Sequence, residues 1–151
     1  ARVYTWGWAT WRRAWKYYCD DAAEWERIQS DGTLKKIYPA RTRYYLKKEF
    51  NYYFERGKCP WDYLWWISCM GKGGLCAVPK VNLITNEGFG EDATHTQDKG
   101  DYNGETFHME FPLKYPEQVK RDYSFDKYDR GLNPPWLVVR AVRKLKKVCM
   151  K

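Results

Sequence analysis

No stretch of this chain approaches the roughly 20 consecutive apolar residues that a membrane-spanning helix requires, so none is expected to cross a bilayer. Ala1 leads straight into aromatics, without the basic region, apolar block and small-residue cleavage site of a signal peptide. The sequence therefore reads as an internal piece of a longer chain. Cys19, Cys59, Cys69, Cys76 and Cys149 form an odd set with no C-x-x-C pair, which leaves no zinc-site or redox spacing. A chain of this size needs no disulfide staples, and the thiols are expected to be reduced and mostly buried in a cytosolic protein. There is no internal repeat and no low-complexity tract.

What is present is apolar and aromatic material: 44% hydrophobic and 19% aromatic residues over 151 positions, ample for one domain with a real core. The formal net charge of +8 is unevenly placed. From Trp136 onward Arg140, Arg143, Lys144, Lys146, Lys147 and Lys151 stand without an acid, leaving 21 bases against 19 acids elsewhere. A body so near neutrality offers no obvious surface for tracking phosphates, and no nucleic-acid partner is expected.

Trp8, Trp11, Trp15, Tyr18, Ala22, Trp25 and Ile28 recur at steps of three and four. That period predicts one amphipathic helix from about Thr10 to Gln29, ended by Ser30-Asp31-Gly32. A second is expected from about Arg41 to Arg56, with Leu46, Phe50, Tyr53 and Phe54 inward and Gly57 as the stop. A third opens at Cys59-Pro60-Trp61-Asp62, with Pro60 at the first helical position, Asp62 in the first turn and Gly71 as the stop. Leu75 to Val78 and Val81 to Thr85 read as two short strands or one bent strand. Asn86 to Gly104 is a long polar loop, and such loops are usually functional or disordered. Phe107 to Leu113 reads as an edge strand limited by Pro112, and Pro116 to Tyr128 as a short polar helix. Asn133-Pro134 opens a basic final helix with Val138, Val142, Leu145 and Cys149 as its apolar stripe.

Three segments carry the chemistry: Trp6-Gly7-Trp8-Ala9-Thr10-Trp11-Arg12-Arg13-Ala14-Trp15, Trp61-Asp62-Tyr63-Leu64-Trp65, and Pro79-Lys80-Val81-Asn82-Leu83-Ile84-Thr85-Asn86-Glu87-Gly88-Phe89-Gly90-Glu91-Asp92-Ala93-Thr94-His95-Thr96. In that order and at that spacing they resemble the C-terminal part of bacterial GT-A-fold glycosyltransferases related to the family-two enzymes, some of which carry hemolysin-like names. The resemblance runs from about Tyr4 to Asp122 and includes Phe111-Pro112-Leu113-Lys114-Tyr115-Pro116, similar to that group's Pro-Leu-x-His-Pro segment. Glu87 stands where an aliphatic residue is usual, and Tyr115 where a histidine is expected.

The resemblance implies a helix-rich α/β fragment, α+β in arrangement with a few short strands, forming the C-terminal half of a GT-A nucleotide-sugar transferase. Residues 1–132 would be its acceptor-side catalytic part and residues 133–151 a basic amphipathic helix. In that fold the preceding half binds the nucleotide and supplies a metal-binding Asp-x-Asp. No such motif precedes Trp6, so the donor half is expected to be missing and the isolated piece inactive. Asp20-Asp21 falls inside the first expected helix and reads as a solvated pair.

Inverting sugar transfer needs a carboxylate to accept the proton of the attacking hydroxyl. Asp62 lies at a helix start, where backbone N–H groups and the helix dipole keep a carboxylate ionised, and the resemblance places the base there; the plain alternative is an Asp that only caps the helix. Trp61, Trp65 and neighbouring Trp66 either offer ring faces to an acceptor sugar or pack as core. By resemblance His95, with Glu91 and Asp92 nearby, is the late histidine that completes a site for manganese or magnesium touching the donor diphosphate; otherwise it is a solvated loop residue. His108, in an expected strand, reads as structural. In Trp6-Gly7-Trp8 the glycine lets the backbone pass close to a ligand, and by resemblance this turn borders the donor-sugar pocket; the alternative is a hydrophobic lead into the first helix. The basic final helix has the pattern of a segment lying on an anionic membrane surface, or of a solvated charged face.

The expected function is metal-dependent, inverting transfer of a sugar from a nucleotide-diphosphate-sugar donor to a carbohydrate or lipid-linked acceptor, in the cytoplasm or peripherally at the inner face of the membrane. The competing expectation is a non-catalytic carbohydrate-binding or interaction module that uses the Trp-rich surface.

Overall fold

The helix expected over Thr10 to Gln29 is two helices in the computed structural model, which describes residues 2–86, 88 and 104–132. The first, α1 (Arg12–Trp15), is a single turn that buries nothing. The second, α2 (Ala22–Ser30), starts at Asp21, whose backbone is extended and whose Oδ1 accepts the Ala23 N–H at 2.8 Å. A short acid that bonds the backbone two residues on competes with helix continuation and wins at a helix start. Asp20 and Asp21 are both exposed, as expected of a solvated pair, but they stand at a helix boundary and not within a helix.

Asp31 and left-handed Gly32 (φ 82°) end α2, as the Ser30-Asp31-Gly32 pattern anticipates. A further short helix follows, α3 (Thr33–Ile37), started by the Thr33 N–H donating to Asp31 Oδ1 at 2.8 Å. Helix α4 (Ala40–Phe54) begins after Pro39 and ends where expected. Gly57 (φ 60°) donates to the Phe54 carbonyl at 2.9 Å and Lys58 to that of Tyr53 at 3.2 Å, a Schellman closure.

Helix α5 (Trp61–Gly71) takes Pro60 as its N-cap, one residue outside the first helical position assigned from the sequence. Its stop is Gly73 (φ 65°), where the N–H groups of Gly73 and Gly74 reach the Met70 and Cys69 carbonyls at 3.1 and 2.8 Å. Gly71, expected to be the stop, serves packing instead. A Cβ there would fall 1.9 Å from Glu24 Oε1, so the missing side chain leaves the Glu24 carboxylate room to lie against α5.

These helices share a core of Trp25, Ile28, Leu34, Tyr38, Leu46, Phe50, Ile67 and Met70. Burying one large apolar side chain stabilises the fold by roughly 1.5–3 kcal/mol. Trp25 meets Phe50 edge-on at 4.8 Å, and its Nε1–H donates to Asn51 Oδ1 at 2.7 Å. The last described helix, α6 (Tyr123–Leu132), starts later than the expected Pro116 because Asp122 Oδ1 caps it, accepting from Ser124 and Phe125 N–H at 2.8 and 2.9 Å. Arg121 ties this region to α3, donating to the Ile37 carbonyl at 2.7 Å while pairing with Asp126.

These elements belong to one of two units; the other comprises residues 4–9 and 76–119. Among its described residues there is no strand, so the strands expected at Leu75 to Val78, Val81 to Thr85 and Phe107 to Leu113 are not formed. The reason lies at Asn82. Its carbonyl accepts the Phe107 N–H at 2.8 Å, but its side-chain Nδ2 donates to the Gly104 and Glu105 carbonyls at 3.2 and 3.1 Å. An amide side chain has taken acceptors that a strand ladder would use, and one backbone bond does not make a ladder.

Candidate functional site

The first turn of α5 gathers two of the expected site residues, Trp61 and Asp62. Pro60 fixes its entry and Gly73 its exit, and the helix is seated on α4 by Tyr63. The Tyr63 ring lies 5.3 Å from Phe50 and 5.1 Å from Tyr53, both edge-on, and its hydroxyl donates to Glu49 Oε1 at 2.6 Å.

Glu49 is 6% exposed. Burial pushes its carboxyl above the usual range, opposed by the Tyr63 hydrogen bond and the charge of Arg2. Burial also holds the Tyr63 phenol well above its ordinary value, and the charge and hydrogen bond of Glu49 add to the rise. Tyr63 is therefore a permanent donor at neutral pH. The sequence carries a signal for this pair: Leu46, Glu49, Phe50 and Tyr53 follow helical spacing, which puts a charged residue on the apolar face. Counting only the apolar positions misses it.

Asp62 is half-buried on that turn, and among the described residues its carboxylate has no hydrogen-bond or ion-pair partner. Its negative charge reaches Cys59, whose thiol is pushed up to about 11, chiefly by burial and then by Asp62. Trp61, beside it, is 47% exposed. Side by side, they offer an accessible carboxylate and an accessible ring on one rigid helix start.

Trp65 does not join them. It is 5% exposed, and its ring lies 5.1 Å from Trp15, which stacks on Tyr18 at 4.7 Å. A ring so enclosed cannot present a face to a sugar, so Trp65 is a core residue. Trp66 is half-buried, donating from Nε1 to Tyr38 Oη at 3.2 Å.

Trp6, Gly7 and Trp8 fall in the other unit. Trp6 is exposed and Trp8 half-buried. Gly7 adopts φ 57°, and a Cβ there would lie 2.6 Å from Ile84 Cγ2. The close approach that requires glycine is therefore to the chain's own Ile84. His108 is exposed and in no strand, which corrects its structural reading.

His95, Glu91, Asp92 and the helix expected over residues 133–151 lie outside the described residues. Among the described residues no group of three or more His, Cys, Asp or Glu side chains could hold a metal ion, and no helix is long and apolar enough to cross a membrane. No protein-family model, curated protein or solved structure matches the chain.

Proposed function

We propose that this chain is the acceptor-side part of a nucleotide-sugar-dependent glycosyltransferase of the GT-A type, working in the cytoplasm or at the inner face of the membrane. The carrying observation is the half-buried Asp62 carboxylate, unpartnered among the described residues, beside the exposed ring of Trp61, on a helix start fixed by the Glu49–Tyr63 hydrogen bond.

In the proposed reaction a carbohydrate or lipid-linked acceptor hydroxyl lies against Trp61 and attacks the anomeric carbon of the donor. A new C–O bond forms, and the nucleotide diphosphate leaves with the electron pair of the bond it breaks. Asp62 takes the hydroxyl proton. Attack opposite the leaving group inverts the anomeric configuration. On the resemblance, a preceding nucleotide-binding half supplies the donor site. A manganese or magnesium ion, with His95 as one ligand, would neutralise the diphosphate. The described residues contribute no ligand cluster to it, and the base role of Asp62 does not depend on it.

In the full-length enzyme, Asp62→Asn is expected to lower turnover by about 10²–10⁴-fold while donor affinity measured by calorimetry stays within about twofold. Unchanged turnover would remove Asp62 from the mechanism. A second reading, a carbohydrate-binding or interaction module without catalysis, is supported by the exposure of Trp11 and Trp61, at 59% and 47%. Saccharide binding by the isolated chain, abolished by Trp61→Ala in a full-length protein that shows no transfer, would favour it.

A further inference from the structure

The near-neutral charge of the chain body conceals a segregation. Between Lys35 and Lys58 there are eight bases and two acids. One of the acids, Glu49, is buried against Tyr63, leaving Glu55 as the single exposed acid of the interval. Arg41, Tyr44, Lys48 and Tyr52 follow at steps of three and four, which aligns them along the side of α4 opposite buried Leu46 and Phe50, and Arg56 continues the row in the turn after the helix, its Nη1 donating to the Tyr52 carbonyl at 2.9 Å. At 1.5 Å per residue its helical part, from Arg41 to Tyr52, runs for about 17 Å. Arg41, Tyr44, Lys48 and Arg56 are exposed and Tyr52 half-buried. The described ion pairs engage Arg27 and Arg121, not these cations.

We propose that this stripe of α4 is a docking surface for an anionic lipid bilayer. Its cations stand in one row on a convex helix, so a plane of phosphate headgroups meets them together. Tyrosine between cations suits the same boundary, where amphipathic rings sit at headgroup level. Lys48 Nζ lies 4.8 Å over the Tyr44 ring and Arg56 Cζ 3.6 Å over that of Tyr52. Those ring faces are already occupied by charge, which disfavours the base stacking that single-stranded nucleic acids require. The inference does not rest on the transferase reading or on the basic tail.

The test uses the full chain and co-sedimentation with phosphatidylglycerol–phosphatidylcholine vesicles at low ionic strength, against phosphatidylcholine alone. The triple variant Arg41→Gln, Lys48→Gln, Arg56→Gln is compared with a charge-matched control, Lys114→Gln, Lys120→Gln, Lys127→Gln. Each surface cation near an anionic bilayer is worth about fivefold in partitioning, so the stripe variant should lose at least roughly tenfold, and the control much less. Tyr44→Ser, which leaves the charge unchanged, should also weaken binding, and circular dichroism confirms that helix content is retained. No binding by the parent chain, equal losses in both triples, or an unaffected stripe variant would overturn the proposal. Loss confined to binding of a single-stranded oligonucleotide would overturn it in favour of a nucleic-acid surface.

Discussion

The Tyr63 hydroxyl donates to Glu49 Oε1 at 2.6 Å across the α4–α5 contact, one residue from Asp62. This bond holds a carboxyl that burial drives toward its protonated form. The folded chain thus keeps a proton that the unfolded chain releases, so the stability tied to Glu49 is full below its ordinary value of about 4.5 and declines as pH rises through the raised folded value. Glu49→Gln keeps an acceptor for Tyr63 and removes the ionisation. It should flatten the fall in stability from acid to neutral pH and raise stability at neutral pH. Tyr63→Phe removes the donor and should cost about 1–3 kcal/mol. Urea unfolding at both pH values checks each.

Two neighbouring glycines at the end of α5 should fail for different reasons. At Gly71 an added methyl displaces the Glu24 carboxylate, the end of a flexible side chain, from its 2.8 Å pairing with Arg27, so Gly71→Ala should cost no more than about 1 kcal/mol. At Gly73 an added Cβ would meet nothing within 4 Å, and the penalty comes only from φ 65°. Gly73→Ala should cost about 1 kcal/mol, and Gly73→Asn less, since Asn tolerates that conformation. No relief by Asn is expected at Gly71. Urea midpoints compare the three.

Trp61 and Trp65 are four residues apart, yet their substitutions should separate binding from stability. Trp65→Ala should cost about 3–5 kcal/mol, because it empties the space against Trp15. Trp61→Ala, at a 47% exposed position, should change stability by less than about 0.5 kcal/mol and remove the proposed acceptor contact. Thermal denaturation and saccharide titration of both variants read the two effects.

Alkylation offers a view of Asp62 that needs no activity. With its thiol pushed up to about 11, Cys59 should react slowly with iodoacetamide at about pH 8. Asp62→Asn removes the second cause of that rise and should speed the reaction modestly, while burial, the larger cause, persists. Mass spectrometry of the Cys59 peptide over time gives the rates; an identical rate in both proteins would place the carboxylate elsewhere.

Much of the helical unit is legible in the sequence because period and punctuation agree. Leu46 and Phe50 mark the inward side of α4, and Gly57 marks its end. The sequence misleads where two signals compete. The three-four repeat of tryptophans runs through Asp21, but a side chain that caps its own backbone outweighs apolar periodicity there. Gly71 and Gly73 both fit a helix stop, and only the tertiary approach of Glu24 distinguishes them. At the site, the place of Asp62 in the first turn of α5 follows from Pro60 and the apolar run after it. Enclosure of Trp65 by Trp15 does not follow, because contact between residues so far apart in the chain leaves no mark on local spacing.

One amide at Asn82 gathers the chain where it returns at Gly104 and Glu105, 22 and 23 residues later. With its carbonyl also accepting the Phe107 N–H, this one residue holds both the side-chain and the main-chain bonds of the return. Asn82→Ala should therefore remove both amide bonds at once and leave the Phe107 bond to the residue 82 carbonyl as the remaining link described there.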